Sequence, residues 1–367
     1  MASASGAGTL VVIHPFGGAG GSERVLVELS KRLHDDFEIV VILMEHGPLE
    51  DRFRDQNVEV IVEPLPGKLR IPLYPSAARR LAERLRGRDV AVVHANGTKA
   101  ALLGAALAPR LDASLLWMKH GHDFNWLAPR LIGPRCDHVA CVSEAVARSF
   151  PEKMQDRVSV VYPGVETPGA PEVAATDPLV LSVGTLIPTK GHDTLIQAIA
   201  ELRDRGIDAR MEIAGGDHRV APGYGSALRQ LVKDLGVSDR VTFLGLVSGM
   251  GPVYVRARVV ALASRSRRAG VPAEGAPLAL LEAMASAKAV VAGAGGGVDE
   301  IVGDGGTLVK DPSPRAFADA LQPYLVDHRT ASTAGVRGRA RIRGQFTTEA
   351  MVAALRERYV MLGARLR

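Results

Sequence analysis

Short runs of β-branched and aliphatic residues alternate with helical patterns along the whole chain. In the first half the strand candidates are Leu10–His14, Ile39–Met44, Val58–Val62, Val90–His94, Leu115–Lys119, Val139–Val142 and Val158–Tyr162. Helical patterns between them include Ser22–Leu33, Ser76–Leu85 and Lys99–Leu107. A Pro/Gly-rich segment without periodicity, Pro163–Pro171, reads as a linker. The alternation then restarts with Val180–Val183, Met211–Ala214, Val241–Leu244, Val259–Ala263, Ala289–Ala292 and Leu308–Val309. Its helices include His192–Arg205, Ala227–Leu235, Leu278–Ala287 and Pro314–Leu325. Apolar strands separated by helices predict parallel sheets covered on both faces. The fold class is therefore α/β: two Rossmann-like, doubly wound domains facing across a cleft, residues 1–165 and 172–345. A last helix, Thr348–Leu366, follows the basic stretch Arg337–Arg343 and makes residues 346–367 a separate tail.

A length of 367 residues suits two domains. With 47% hydrophobic and 23% charged residues the chain is an ordinary globular protein. No run approaches the roughly 18 apolar residues of a membrane span, and no basic segment precedes the first strand as in a signal peptide. Cys136 and Cys141 have no partner pair, which fits a reduced, cytoplasmic setting without disulfide or zinc. The net charge of +5 is mild and aromatics are only 4%, so nucleic acid is not an expected partner.

Open parallel sheets bind ligands at the carboxyl ends of their strands. After the first strand comes Pro15–Arg24, rich in glycine and followed by a helix. Gly20 and Gly21 allow close backbone approach to a phosphate or sugar. A tight turn capped by Ser22 accounts for the same residues. The loop is neither G-x-G-x-x-G nor a nucleotide-triphosphate loop, and that disfavours a dinucleotide-dependent oxidoreductase. After Leu115–Lys119 come His120 and His122, placed to act as acid, base or hydroxyl partner. After Val180–Val183 comes Gly184–Asp193, in which Lys190 stands at a helix mouth and can neutralise phosphate.

Glu274 and Glu282 have seven residues between them. Pro277 suits a first helical position, so Glu274 lies in the loop before the helix and Glu282 about one turn inside. Free N–H groups and the positive helix end make an anion seat there. Carboxylates only accept hydrogen bonds. Two of them flanking an anion seat suit a nucleotide sugar, with a ribose diol on one side of a diphosphate and a hexose on the other. Two solvated glutamates on an ordinary helix would show the same spacing.

In order and spacing these segments resemble the retaining GT-B glycosyltransferases of family four. The resemblance rests on Gly20–Glu23, Val142–Glu144, Gly184–Gly191, Ile213–Asp217, Val241–Gly245, the E-x7-E stretch from Glu274 to Glu282, and Gly296–Val302. It implies a sugar-transferring enzyme with a nucleoside diphosphate sugar as donor, UDP as the expected nucleotide, and no metal or other cofactor. It assigns the first domain to the acceptor and the second to the donor, and carries the last helix back to the first domain. It implies that Glu282 holds the ribose, that Glu274 and the backbone of Gly275, Ala276, Pro277 and Leu278 hold the sugar, and that the amides of Leu278 and Ala279 meet the diphosphate. Lys190 offsets leaving-group charge, Val247 offers backbone to the base, and His122, or His120, sits near the anomeric carbon.

One departure stands out: Thr185 occupies a position where the family usually has arginine. Arg265, Arg267 and Arg268 are candidates to supply that cation. A relative that only binds, or that joins a cyclitol to an amine, is the competing reading. The acceptor is a small molecule or lipid-linked. Residues 68–88 carry seven Lys/Arg against one Glu on an amphipathic pattern, which suits peripheral contact with the inner face of a membrane. An ordinary surface helix packed on its sheet has the same pattern.

Overall fold

The computed structural model describes residues 8–18, 20–65, 72–122, 127–169, 177–266 and 274–367. The chain divides into two compact units: Met1–Gly164 with Thr348–Arg367, and Val165–Thr347.

The N-terminal unit is built on seven strands: β1 Thr9–His14, β2 Glu38–Leu43, β3 Glu59–Val62, β4 Val90–Asn96, β5 Ser114–Lys119, β6 His138–Cys141 and β7 Val158–Val160. They pair in the order β3-β2-β1-β4-β5-β6-β7, every pair parallel. All six β1 residues are buried, as a central strand covered on both faces requires. The order reverses between β1 and β4, which places a topological switch point beyond His14 and Asn96.

The last helix, Thr348–Met361, belongs to this unit. Tyr359 is fully buried, 2.5 Å from His94 Nδ1 and edge-on to Phe37. Arg356 pairs with Asp36 at 2.5 Å, and the Gly8 amide donates to the Arg365 carbonyl at 2.9 Å.

The C-terminal unit has six strands: β8 Leu179–Val183, β9 Arg210–Ala214, β10 Val241–Gly245, β11 Val259–Leu262, β12 Ala289–Gly293 and β13 Thr307–Val309. Their order is β10-β9-β8-β11-β12-β13, again all parallel. The second switch point lies between β8 and β11.

The structure changes several local expectations. The stretch Arg337–Arg343 is inside a helix, His328–Gln345, which packs on the helix Leu278–Ala285. A Cβ at Gly335 would lie 2.0 Å from the Ala287 carbonyl oxygen, so the glycines that look like breakers are what permits the close approach. The first helix starts at Gly21 behind Gly20, not behind a Ser22 cap; the Ser22 hydroxyl donates to Glu23 instead. Pro163–Gly169 is irregular apart from a bridge between Val165 and Thr347, and the remaining linker residues lie outside the described ones.

Helix Tyr74–Arg84 buries Tyr74, Ala77, Ala78 and Leu81 and packs on the helix Thr98–Leu111. Its apolar face is consumed within the unit. Only the arginine face is left to solvent, with Arg79 and Arg84 exposed. Lys68 and Arg70 lie outside the described residues.

Candidate functional site

In the C-terminal unit the site is assembled at the carboxyl ends of β8 to β12. The chain leaves β8 through Gly184, Thr185 and a single 3-10 turn, Pro188–Lys190, and enters the helix His192–Asp204 at Gly191. Gly191 has φ +66°, and a Cβ there would sit 1.9 Å from the Ala263 carbonyl oxygen. No other residue fits, so the turn lies flat on the end of β11.

His192 fastens the same turn. It is fully buried, with Nδ1 3.0 Å from Ser182 Oγ and Nε2 3.1 Å from the Gly184 carbonyl oxygen. Burial, with the Lys190 charge nearby, pushes its pKa down to about 4. The ring is neutral and structural.

Lys190 lies along Gly184, and its ammonium donates to Glu274 Oε1 at 2.5 Å. Ser264, just beyond β11, donates its hydroxyl to the same oxygen at 2.6 Å. Glu274 is thus held by two side chains from the ends of two adjacent strands. Its carbonyl oxygen accepts from the Gly297 amide at 3.4 Å, which ties it to the mouth of the helix Gly297–Val302.

Gly275 is buried and Ala276 half-buried. Pro277 has extended backbone and stands just before the helix Leu278–Ala285, not at its first position. Its carbonyl oxygen takes the amides of Leu280 and Leu281. Among the described residues nothing accepts from the amides of Leu278 and Ala279. These two point the positive helix end outward, which is the arrangement that binds anions.

Glu282 lies in the second turn of this helix. Its Oε2 accepts from Tyr254 Oη at 2.8 Å, and the same hydroxyl lies 3.3 Å from the Ala279 carbonyl oxygen. Glycines bring the neighbouring loops close: the Gly215 amide donates to Gly245, and the Leu186 amide to Gly216. Val247 follows β10 and is half-buried in an exposed loop, beside Leu246, which is 89% exposed.

Lys190, Glu274 and the 274–282 segment therefore converge. Thr185 stands beside them, half-buried, with its carbonyl oxygen accepting from the Ile187 amide at 2.8 Å. Arg265 does not take the place of the absent arginine as a spare cation. Its guanidinium pairs with Asp193 at 2.7 Å and donates to the Pro188 carbonyl oxygen at 2.9 Å, bracing the turn. Arg267 and Arg268 lie outside the described residues. Sequence reasoning missed Ser264 and Tyr254. Neither carries a motif, and only proximity in the fold reveals them.

The N-terminal unit gathers polar groups at its own switch point. Gly20 precedes the helix Gly21–Leu33 and has the Glu23 carboxylate so close that a Cβ would sit 2.5 Å from Oε2. His120 follows β5 and contacts Asn96. His122 is half-buried two residues on; Asp123, the residue after it, lies outside the described residues. Lys119 is 1% exposed, its ammonium donating to the Gly121 carbonyl oxygen at 2.7 Å and lying 5.6 Å from the Trp117 ring centre. Those contacts offset the cost of burying the charge. Cys136 and Cys141 are free and buried, and burial pushes both thiols up to about 12, so neither is a nucleophile. Among the described residues there is no group of three or more His, Cys, Asp or Glu able to hold a metal ion.

Comparison with known proteins bears on the family and the fold. Residues 166–341 match the family described as glycosyl transferases group 1, and residues 19–168 match Glycosyltransferase Family 4. A GDP-mannose-dependent alpha-(1-6)-phosphatidylinositol monomannoside mannosyltransferase of Mycolicibacterium smegmatis is 32% identical over 300 residues, spanning 75% of this chain and 77% of the relative. A GDP-mannose-dependent monoacylated alpha-(1-6)-phosphatidylinositol monomannoside mannosyltransferase of Corynebacterium glutamicum is 27% identical over 370 residues, 94% of this chain and 95% of that one. Among solved structures, Anabaena Alr3699/HepE in complex with UDP and glucose superposes with a TM-score of 0.83, covering 96% of this chain and 99% of that one at 20% identity. That last likeness speaks for the fold alone. Two parallel-sheet units with E-x7-E at the second switch point, matched along both halves, make this chain a glycosyltransferase of the group 1 and family 4 type with the GT-B fold.

Proposed function

We propose that the chain transfers a mannosyl group from GDP-mannose to a phosphatidylinositol mannoside or a closely related glycolipid. The observation that carries this reading is the match to GDP-mannose-dependent mannosyltransferases over three quarters or more of the chain. It replaces the UDP expected from the motifs, which describe a diphosphate seat without specifying the base.

The C-terminal unit supplies the donor chemistry. The diphosphate lies against the amides of Leu278 and Ala279, at the positive end of their helix. Lys190 meets the β-phosphate as its charge develops on departure, which is electrostatic stabilisation by a preorganised group. The ribose diol donates to Glu282, which Tyr254 orients. Glu274, held by Lys190 and Ser264, accepts from the sugar hydroxyls. The backbone at Val247 meets the base. GDP-mannose carries its sugar in the α configuration, and an α-(1-6) product preserves it, so the reaction is retaining. The N-terminal unit serves the acceptor, with Gly20, Gly21, His120 and His122 at its strand ends.

Membrane contact is electrostatic. No helix among the described residues is long and apolar enough to cross a bilayer. The buried apolar face of Tyr74–Arg84 argues against insertion of that helix as folded, whereas its arginines can meet anionic headgroups at roughly 1 kcal/mol each. On this reading the chain is a peripheral protein at the inner face of a membrane.

The test is a product assay by mass spectrometry, with phosphatidylinositol mannosides in mixed vesicles as acceptors and GDP-mannose, UDP-glucose and UDP-N-acetylglucosamine as donors. A hexose added from GDP-mannose alone is the expected result. Transfer from a UDP-sugar and none from GDP-mannose would overturn the donor assignment.

A further inference from the structure

Four polar side chains from four separate elements meet at the end of the N-terminal sheet. Glu23 comes from the first turn of the helix Gly21–Leu33, His14 from β1, Asn96 from β4 and His120 from the residue after β5. His14 and Asn96 are 2% and 4% exposed, and Glu23 is 7% exposed. Glu23 Oε1 lies 3.1 Å from His14 Nε2, Asn96 Nδ2 lies 2.9 Å from His14 Nδ1, and Asn96 Oδ1 contacts His120 Nε2.

The donor and acceptor roles along this line are determined by its first member. Burial alone would raise the Glu23 carboxyl, but the His14 hydrogen bond, its own amide and the Ser22 hydroxyl together hold it below the ordinary value. An ionised carboxylate only accepts, so His14 donates from Nε2; the Asn96 NH2 group lies 2.9 Å from Nδ1, which therefore accepts and makes the ring neutral. Asn96 must then turn its NH2 toward His14 and its carbonyl oxygen toward His120. An amide oxygen only accepts hydrogen bonds, so His120 carries its hydrogen on Nε2 and donates it there. Its Nδ1 keeps the lone pair, and among the described residues no hydrogen bond is formed to it.

We infer that Glu23, His14 and Asn96 are positioning residues that set the tautomer of His120, so that its Nδ1 faces a bound polyol as a hydroxyl acceptor. Burying a carboxylate, an amide and two imidazoles at strand ends is a poor way to gain stability, because apolar residues of similar volume would do as well. The arrangement makes sense as control of a single proton position. Burial, with the Lys119 charge nearby, pushes the His120 pKa down to about 4, so the ring is neutral where the tautomer matters. Gly20 is part of the device, since a side chain there would collide with the Glu23 carboxylate.

The test needs neither donor nor acceptor, so its outcome is separate from the assignment of GDP-mannose. The full chain is labelled with 15N-histidine and the ring nitrogens are read by long-range heteronuclear NMR at pH 7.5, with His120→Gln to assign the resonances. The expected spectrum shows His120 Nε2 at the protonated position and Nδ1 at the unprotonated position. In Glu23→Leu, which touches His120 nowhere, both resonances are expected to move toward the average of two exchanging tautomers. Asn96→Leu should do the same. Wild-type His120 protonated on Nδ1, or already averaged, would overturn the inference. So would a folded Glu23→Leu whose His120 resonances do not move. The wild-type spectrum decides by itself if a variant does not fold.

Discussion

The two glutamates should separate nucleotide binding from turnover, and the structure gives the sizes. Glu282 is oriented by a 2.8 Å hydrogen bond from Tyr254 and offers a charged acceptor to the ribose diol. Losing a hydrogen bond to a charged group costs about 1.5–3 kcal/mol. At 1.4 kcal/mol per factor of ten, Glu282→Ala raises the Kd for GDP roughly 10- to 150-fold. Tyr254→Phe leaves the carboxylate but removes that hydrogen bond, and its cost is about 1 kcal/mol, or roughly fivefold. Glu274 behaves differently because it pairs at 2.5 Å with Lys190, the lysine proposed to meet the phosphate. Glu274→Ala releases that cation, so GDP should bind as well as before or more tightly while turnover collapses. Isothermal titration with GDP, beside melting curves to confirm folding, measures all three variants. Equal loss of GDP affinity in Glu274→Ala and Glu282→Ala would refute this division. A large loss in Glu274→Ala alone would invert it.

Turnover should survive a chelator if Lys190 and the helix N-terminus stabilise the leaving group as proposed; loss of activity with EDTA and recovery with Mg²⁺ or Mn²⁺ would contradict that. Stability should fall as pH drops from about 6.5 toward 4. His192 and His94 are pressed by burial to about 4 and about 3 from 6.5, so the unfolded chain binds more protons than the folded one in this window. A displaced pKa is worth about 1.4 kcal/mol for each pH unit, so His192 alone contributes roughly 3 kcal/mol of that fall. His192→Gln should be less stable at pH 7 yet show a shallower pH slope in chemical denaturation, and parallel slopes would count against the argument. Binding to anionic vesicles should disappear in ~0.5 M salt, where the Debye length is only a few ångströms. Arg79→Gln with Arg84→Gln should weaken it by about 1 kcal/mol per residue. Salt-resistant sedimentation with vesicles would mean that apolar insertion takes place after all.

Much of the fold was readable because parallel strands buried on both faces must be apolar by themselves. The run Leu10–His14 announces β1 whatever it packs against, and the same is true of Ala289–Ala292. The helix His328–Gln345 was not readable. It is rich in arginine and contains Gly335, Gly338 and Gly344, a pattern that locally argues against a helix. Its reason for existing lies in what it touches: Gly335 rests on the Ala287 carbonyl and Gly338 on Gly305. The helix Tyr74–Arg84 shows the converse case. Its periodicity reports an apolar face correctly but does not say what covers it, and the cover is the helix Thr98–Leu111.

Which residues follow each strand is legible in the chain itself, because strand and turn signals are local. Glu274, Lys190, His120 and the glycine loop stand out for that reason, and Glu282 by its spacing from Glu274. Their pairing is a property of the folded units alone. Lys190 and Glu274 are 84 positions apart, Tyr254 and Glu282 are 28 apart, and His14 and Asn96 are 82 apart. The first and last pairs meet because the strand order doubles back at a switch point and sets distant strand ends side by side, and Tyr254 reaches Glu282 from the helix before β11 to the helix after it. A hydrogen bond forms or fails within a few tenths of an ångström, a distance that depends on sheet order and helix packing and is written in no single stretch of the chain.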